Sequence, residues 1–572
     1  MRRVRIAILV IGILAVLAVV QMAKRGPAVE DGTALTVSLQ GAYVEAPDPG
    51  VLAHLAGLLV TPPPSFPGLI SELAKAERDA RIDTVVFRVR RLGMRWGKAQ
   101  ELRRAIARLR EAGKDTVAYL EVQTYGANLE YYLATACDEI VLAPGVPAPL
   151  SGLRAEYLFL GGFWERLGVE LDVLGVGEYK GAVETLGARA MSRANREMAD
   201  SLLDSVEQQL LSAVSEARGL DLGRVRAAID AAPMSPVGAV ERKLVDRIAH
   251  WDEVFQARDE PPRIALERYA AVPAASVGFE PVASFALIFG AGNVVQGEAT
   301  GSRPVFASDT VVEALDGAAD DADIQAIVLR LDSPGGSGAA AEQIWRAVRR
   351  ARTRKPVIAS MSDLAASAAY YVAAAADRIV SHPGTYTGSI GVFVVRPSFG
   401  SLLDKLEIGH ETLLRGEHAD LLAMLQPLSD ATRDRFRSDI EASYVQFVER
   451  VAEGRGLPLD AVDEVARGRV WTGEQARERG LVDELGGLRE AVLAGKRAAG
   501  LAADADVELR VYPAPRSFSQ QLREVAGAAR VVRGAALASL TIPAPVATAA
   551  AWLAELPAGA QAWLPPIAIE IR

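Results

Sequence analysis

The sequence predicts an α/β protein whose core is written twice in tandem behind an apolar N-terminal segment. Three observations carry this. Short apolar strand-like runs alternate with amphipathic helical stretches, which implies βαβ units and a largely parallel sheet. A block of residues recurs at a constant spacing of 239. The 572-residue length exceeds one ordinary core, so two or more domains are expected.

The repeat is plainest where Tyr131 to Val141 reads against Tyr370 to Val380, identical at seven of eleven positions. The same spacing pairs Gly177-Glu178 with Gly416-Glu417. With small shifts, the strand-like Asp83 to Arg88 resembles Ile324 to Arg330. Each is followed by a helical pattern, Ala99 to Ala112 and Ala340 to Arg350, and then by a second apolar run, Thr116 to Val122 and Pro356 to Met361. Leu244-Val245-Asp246 matches Leu481-Val482-Asp483, and Leu35 to Val44 matches Ala286 to Val295. Two homologous domains are therefore expected at 34–275 and 284–500, with an Ala/Pro-rich extension over 501–572.

At the N-terminus, Arg2, Arg3 and Arg5 precede an unbroken apolar run from Ile6 to Val20, and Lys24-Arg25 follow. Such a run fits a signal-peptide core or a short transmembrane helix. The best cleavage position, after Ala23, has Gln21 where a small residue is preferred, so residues 1–25 read as an uncleaved anchor. The slight basic excess before the run favours a cytoplasmic N-terminus and an exported body.

The composition is globular, half hydrophobic and 24% charged, and the net charge of −9 gives no reason to expect nucleic-acid binding. One cysteine, Cys137, permits neither an internal disulfide nor a cysteine-based metal site, and five scattered histidines show no ligand spacing. No metal or cofactor is expected.

Two segments carry chemistry. Asp332-Ser333-Pro334-Gly335-Gly336-Ser337 lies between a strand and a helix, where glycines let backbone N–H groups face a ligand oxygen. Such groups can form an oxyanion hole. Ser389, in Thr387-Gly388-Ser389-Ile390-Gly391, is flanked by small residues and needs a base. No histidine sits in a serine-triad context, and His382 reads as a loop residue, which leaves a lysine held neutral by burial. At the constant spacing Lys180 aligns with Ala419 and Ser389 with Leu150, so each copy keeps one half of a pair and lacks the other. Lys405, the one lysine between Ser389 and Gly495, reads as a surface residue.

The ordered set Ala326 to Ser337, Lys355-Pro356-Val357-Ile358, Ala365-Ala366-Ser367, Tyr386 to Phe393, Gly468 to Gly473 and Gly480 to Asp483 resembles the long, tandem-repeat form of signal peptide peptidase A. Glu178 to Glu184 resembles that family's base-bearing segment. The resemblance implies a fold related to the Clp protease subunit and the crotonases. It implies a serine endopeptidase with Ser389 as nucleophile and Lys180 as base across the two repeats, and with Gly335 and Gly336 offering the oxyanion N–H groups. It further implies a homo-tetramer anchored in the bacterial inner membrane with its catalytic body in the periplasm. The implied substrates are signal-peptide remnants and other unfolded apolar segments. Two rival readings are a crotonase-type CoA enzyme and a membrane scaffold with a decayed site. Arg90-Arg91-Leu92-Gly93 stands where the second copy has its Ser-Pro-Gly-Gly turn, so the first copy is expected to supply no oxyanion hole.

Overall fold

The two halves of the chain build two separate sheets in the computed structural model, which describes residues 27–46, 63–299 and 305–514. The expected anchor, residues 1–25, lies outside the described residues, as does the extension from 515 onward. No helix among the described residues is long and apolar enough to cross a membrane.

In the first half, β1 (Thr33–Ala42), β2 (Ile82–Gly93), β3 (Asp115–Leu120) and β4 (Glu139–Leu142) are joined through helices that include α1 (Phe66–Arg78), α2 (Trp96–Glu111) and α3 (Asn128–Ala134). After β5 (Glu170–Val176), which leaves the sheet, β6 (Arg247–Ile248) and β7 (Arg263–Ala265) complete the order β6-β4-β3-β2-β1-β7. All its pairings are parallel. Val85, Val86, Phe87 and Val89 of β2 are buried on both faces, as a covered parallel sheet requires. α2 buries Ala99, Leu102, Ala105, Ile106 and Leu109, spaced three and four apart, while Arg108 and Arg110 end it near the negative pole of its dipole.

The second half repeats the plan. β8 (Ala283–Ala291), β11 (Ile324–Ser333), β12 (Val357–Ala366) and β13 (Arg378–Ser381) form its parallel centre, with β9 (Val294–Val295) and β10 (Phe306–Ala307) as a separate small pair. β14 (Tyr386–Gly388) continues the sheet beside β12, antiparallel to β16 (Val470–Thr472). The repeat is reproduced bond by bond. Tyr131 Oη donates to Leu244 O at 2.8 Å, and Tyr370 Oη to Leu481 O at 2.9 Å. Ile140 N–H donates to Asp246 and Ile379 N–H to Asp483, both at 2.7 Å. Each half also has a 26-residue helix, Arg193–Arg218 and Asp430–Arg455, opened by a serine cap and closed by a left-handed glycine.

The second sheet runs past the expected end at 500. Val507–Tyr512 forms a strand parallel to β8, covering an edge that would otherwise offer unpaired backbone groups. β7 does the same for β1. The two repeats are also stitched together by β15 (Val392–Ser398), which pairs antiparallel with β5 from Val392↔Val176 to Ser398↔Glu170.

A buried ion cluster lies between the halves. Arg330, on β11 and 1% exposed, bonds Glu45 at 2.9 Å and Glu101 at 2.7 Å, both from the first half. Burial opposes its charge, yet Glu101 and Glu45 hold the guanidinium above its ordinary value. Removing one partner of such a cluster leaves the others charged and dry. Arg330→Met is expected to cost about 3–5 kcal/mol of unfolding free energy, read as a fall in the urea midpoint.

Candidate active site

Lys180 lies four residues after β5, at the N-cap position of α4 (Gly181–Gly187), while Ser389 lies three residues before β15. The β5–β15 pairing therefore brings together two residues far apart in sequence. Lys180 Nζ stands 2.9 Å from Ser389 Oγ, 2.7 Å from Ser389 O and 3.1 Å from Ser367 Oγ. The lysine is 6% exposed and the serine 8%.

Glycines set this approach where any side chain would block it. A Cβ at Gly177 would fall 2.3 Å from the Arg467 carbonyl, and one at Gly468 would fall 2.8 Å from Lys180 Cβ. Gly177 has φ of 108°, and so does its repeat counterpart Gly416. The turn geometry was thus kept in the second copy although the lysine was not.

Burial pushes the Lys180 ammonium down to about 7 from its ordinary 10.5. A neutral amine has two N–H donors and one lone pair. The donors match Ser389 O and Ser367 Oγ, and the lone pair matches the Ser389 hydroxyl proton. Ser389 and Ser367 both have positive φ, 51° and 56°, an uncommon setting for non-glycine residues that clusters at functional sites. Backbone bonds hold them there, Ser389 N–H to Arg469 O at 2.7 Å and Ser367 N–H to Gly388 O at 2.8 Å.

The glycine turn reaches the same place through Ser367, since a Cβ on Gly335 would lie 2.7 Å from Ser367 Cβ. The two glycines of the turn differ in their partners. Gly335 N–H is engaged by Ser333 Oγ at 3.2 Å, because the turn folds back on its own first side chain. Gly336 N–H, the second expected donor, has no acceptor among the described residues. Beside Ser389 and Lys180 opens a mostly apolar cavity, lined by Tyr157, Phe159, Met191, Met198, Ala199 and Val470.

The remaining candidates fall elsewhere. Lys405 is exposed and donates to the Glu165 and Arg166 carbonyls at a helix end. His382 lies in the loop between β13 and β14, as expected, and it is fully buried there, with Nε2 3.5 Å from Glu101. In the sequence Ser367 stands out only as part of the Ala365-Ala366-Ser367 motif. Its bond to the lysine depends on a chain crossing that no local pattern encodes. Among the described residues no group of three or more His, Cys, Asp or Glu could hold a metal ion.

Comparison with known proteins agrees with the duplication. The model of peptidase family S49 matches twice, over residues 108–262 and 349–502, together more than half of the chain. The chain is 33% identical over 494 residues to the Arabidopsis thaliana chloroplastic serine protease SPPA, covering 84% of this chain and 71% of that protein. It is 30% identical over 505 residues to Protease 4 of Salmonella typhi, covering 84% of this chain and 79% of the relative. An Enterococcus faecium protein provisionally named signal peptide peptidase SppA is 31% identical over 174 residues, 30% of this chain and 51% of that one.

Proposed function

Because the chain belongs to peptidase family S49, we propose that it is a serine endopeptidase whose nucleophile is Ser389 and whose general base is Lys180. The observation that carries this reading is the 2.9 Å contact between Lys180 Nζ and Ser389 Oγ. The neutral amine takes the hydroxyl proton as Oγ attacks the scissile carbonyl. Gly336 N–H faces the oxygen that gains charge. The ammonium then gives its proton to the leaving amine, and a water activated by the same lysine releases the acyl group. Ser367 holds the nitrogen so that its lone pair faces Ser389.

The apolar cavity beside Ser389 suits an apolar side chain next to the cleaved bond. Together with the names of the relatives, this favours signal-peptide remnants and other unfolded apolar segments as substrates. The Met1–Arg25 pattern adds a single-pass anchor, and the resemblance to signal peptide peptidase A adds a bacterial inner membrane, a periplasmic body and four assembled copies. The test uses the full chain in detergent. A fluorophosphonate should label Ser389, found by peptide mapping, and should block hydrolysis of a fluorogenic apolar peptide. No labelling beside a labelled control hydrolase would favour a scaffold instead.

A further inference from the structure

The first repeat reaches the second repeat's glycine turn with another cation. Lys98, on α2, is 3% exposed. Its Nζ donates to Asp332 Oδ2 and stands 3.2 Å from Asp363 and 3.3 Å from Glu45. Asp332 lies at the end of β11, immediately before the turn Ser333-Pro334-Gly335-Gly336. The tie is reciprocal, because Asp363 on β12 accepts the N–H groups of Arg95 at 3.1 Å and Lys98 at 2.8 Å, fixing the start of α2.

The turn is held on its other sides by close packing. Val294 N–H donates to Gly335 O and Ser337 N–H to Val294 O, both at 2.8 Å. A Cβ on Gly336 would lie 2.2 Å from Val294 O. The root of the turn, by contrast, carries a carboxylate whose side-chain partner is Lys98.

We propose that Lys98 is a positioning residue of the reaction: acting through Asp332, it holds the Ser333–Gly336 turn so that Gly336 N–H faces the developing oxyanion. The proposal rests on the Ser389/Lys180 reading. By it the first repeat supplies the base and also the tether of the second repeat's oxyanion donor. Charge makes the tether consequential. Glu45, Glu101, Asp332 and Asp363 share two cations, Lys98 and Arg330. Burial pushes the Asp332 carboxyl up, and against burial the three carboxylates hold the Lys98 ammonium charged. Without Lys98, Asp332 and Asp363 face one another with no cation of their own, Arg330 being left to Glu45 and Glu101, and the end of β11 must shift to admit water or spread the charges. A displaced oxyanion donor costs rate rather than binding.

The experiment uses the full chain in detergent and a fluorogenic apolar peptide. Lys98→Met should lower kcat about 10- to 100-fold, somewhat less than outright loss of one oxyanion donor, with KM changed by less than about threefold. A peptide aldehyde, whose adduct with Ser389 places an oxygen at the oxyanion position, should weaken by the same factor. The matching peptide alcohol should keep its Kd. Asp332→Ala should behave like Lys98→Met, and Asp332→Asn, which retains an acceptor for the ammonium, should recover most of the rate. If Lys98→Met does not fold, Asp332→Ala decides, since that side chain is 23% exposed. Unchanged kcat and aldehyde affinity in either folded variant overturns the tether. Equal weakening of aldehyde and alcohol also overturns it, marking a purely structural residue. Wild-type protein that neither hydrolyses peptide nor takes aldehyde overturns the Ser389 reading itself. Hydrolysis that needs Ser389 but is indifferent to Lys98 removes the tether alone.

Discussion

Ser389→Ala should lower kcat/KM on an apolar fluorogenic peptide by about 10⁴-fold or more while leaving the fold intact. The two halves of that expectation have separate causes. The hydroxyl is the only atom lost, and in the proposed reaction nothing else beside Lys180 forms the acyl-enzyme. The backbone that presents it survives, because its φ of 51° is held by the bond from Ser389 N–H to Arg469 O at 2.7 Å. Alanine meets the same backbone cost there as serine. The urea midpoint should therefore correspond to a change within about 1 kcal/mol, the worth of the hydroxyl's hydrogen bond to the lysine. Activity and stability measured on the same preparation give the comparison. Substantial residual hydrolysis would direct attention to Ser367, whose Oγ lies 3.1 Å from the same nitrogen.

What could be read from the sequence, and what could not, divides along a physical line. The strands and the long helices follow from local periodicity, and the duplication follows from a constant spacing. That spacing, with Lys180 opposite Ala419 and Ser389 opposite Leu150, singled out two residues that the fold brings within hydrogen-bond reach. The edge strand Val507–Tyr512 was also within reach. It alternates V-E-L-R-V-Y, and the first copy has β7 in the corresponding place. Contacts made across the two copies left weaker traces. Arg330 sits in a run of apolar residues on β11, and a charge in a strand buried on both faces must have partners. Which partners they are, Glu45 and Glu101, depends on how one sheet is set against the other. The bond between Gly335 N–H and Ser333 Oγ is different again, since it depends on a side-chain rotamer within the turn.

Lys180→Met is expected to remove activity and to raise stability at neutral pH. In the unfolded chain the lysine titrates near its ordinary 10.5, and in the folded protein burial brings it to about 7. Below pH 7 both states hold the proton, so the full cost of burying the charge is borne by the fold. As pH rises from 7 to 10.5, the folded protein has already released the proton and that cost is progressively relieved. The gap corresponds to about 5 kcal/mol, from which the lost hydrogen bonds to Ser389 and Ser367 subtract roughly 1 kcal/mol each. Methionine fills the same volume without the charge. The variant should therefore exceed wild type by about 3 kcal/mol in urea unfolding at pH 6, and the difference should vanish near pH 9 and reverse by about 1 kcal/mol at pH 10. Wild-type kcat/KM should rise with pH through a midpoint near 7, where the free amine appears. The variant should lie about 10³-fold or more below it, without that limb. A methionine variant less stable than wild type at pH 6 would mean that the lysine is not held as a buried neutral amine. A rate limb near 7 that survives the substitution would place the base on another group. Both results together would leave Ser389 without its activating partner, whereas the expected pair ties the cost in stability to the lone pair that takes the serine proton.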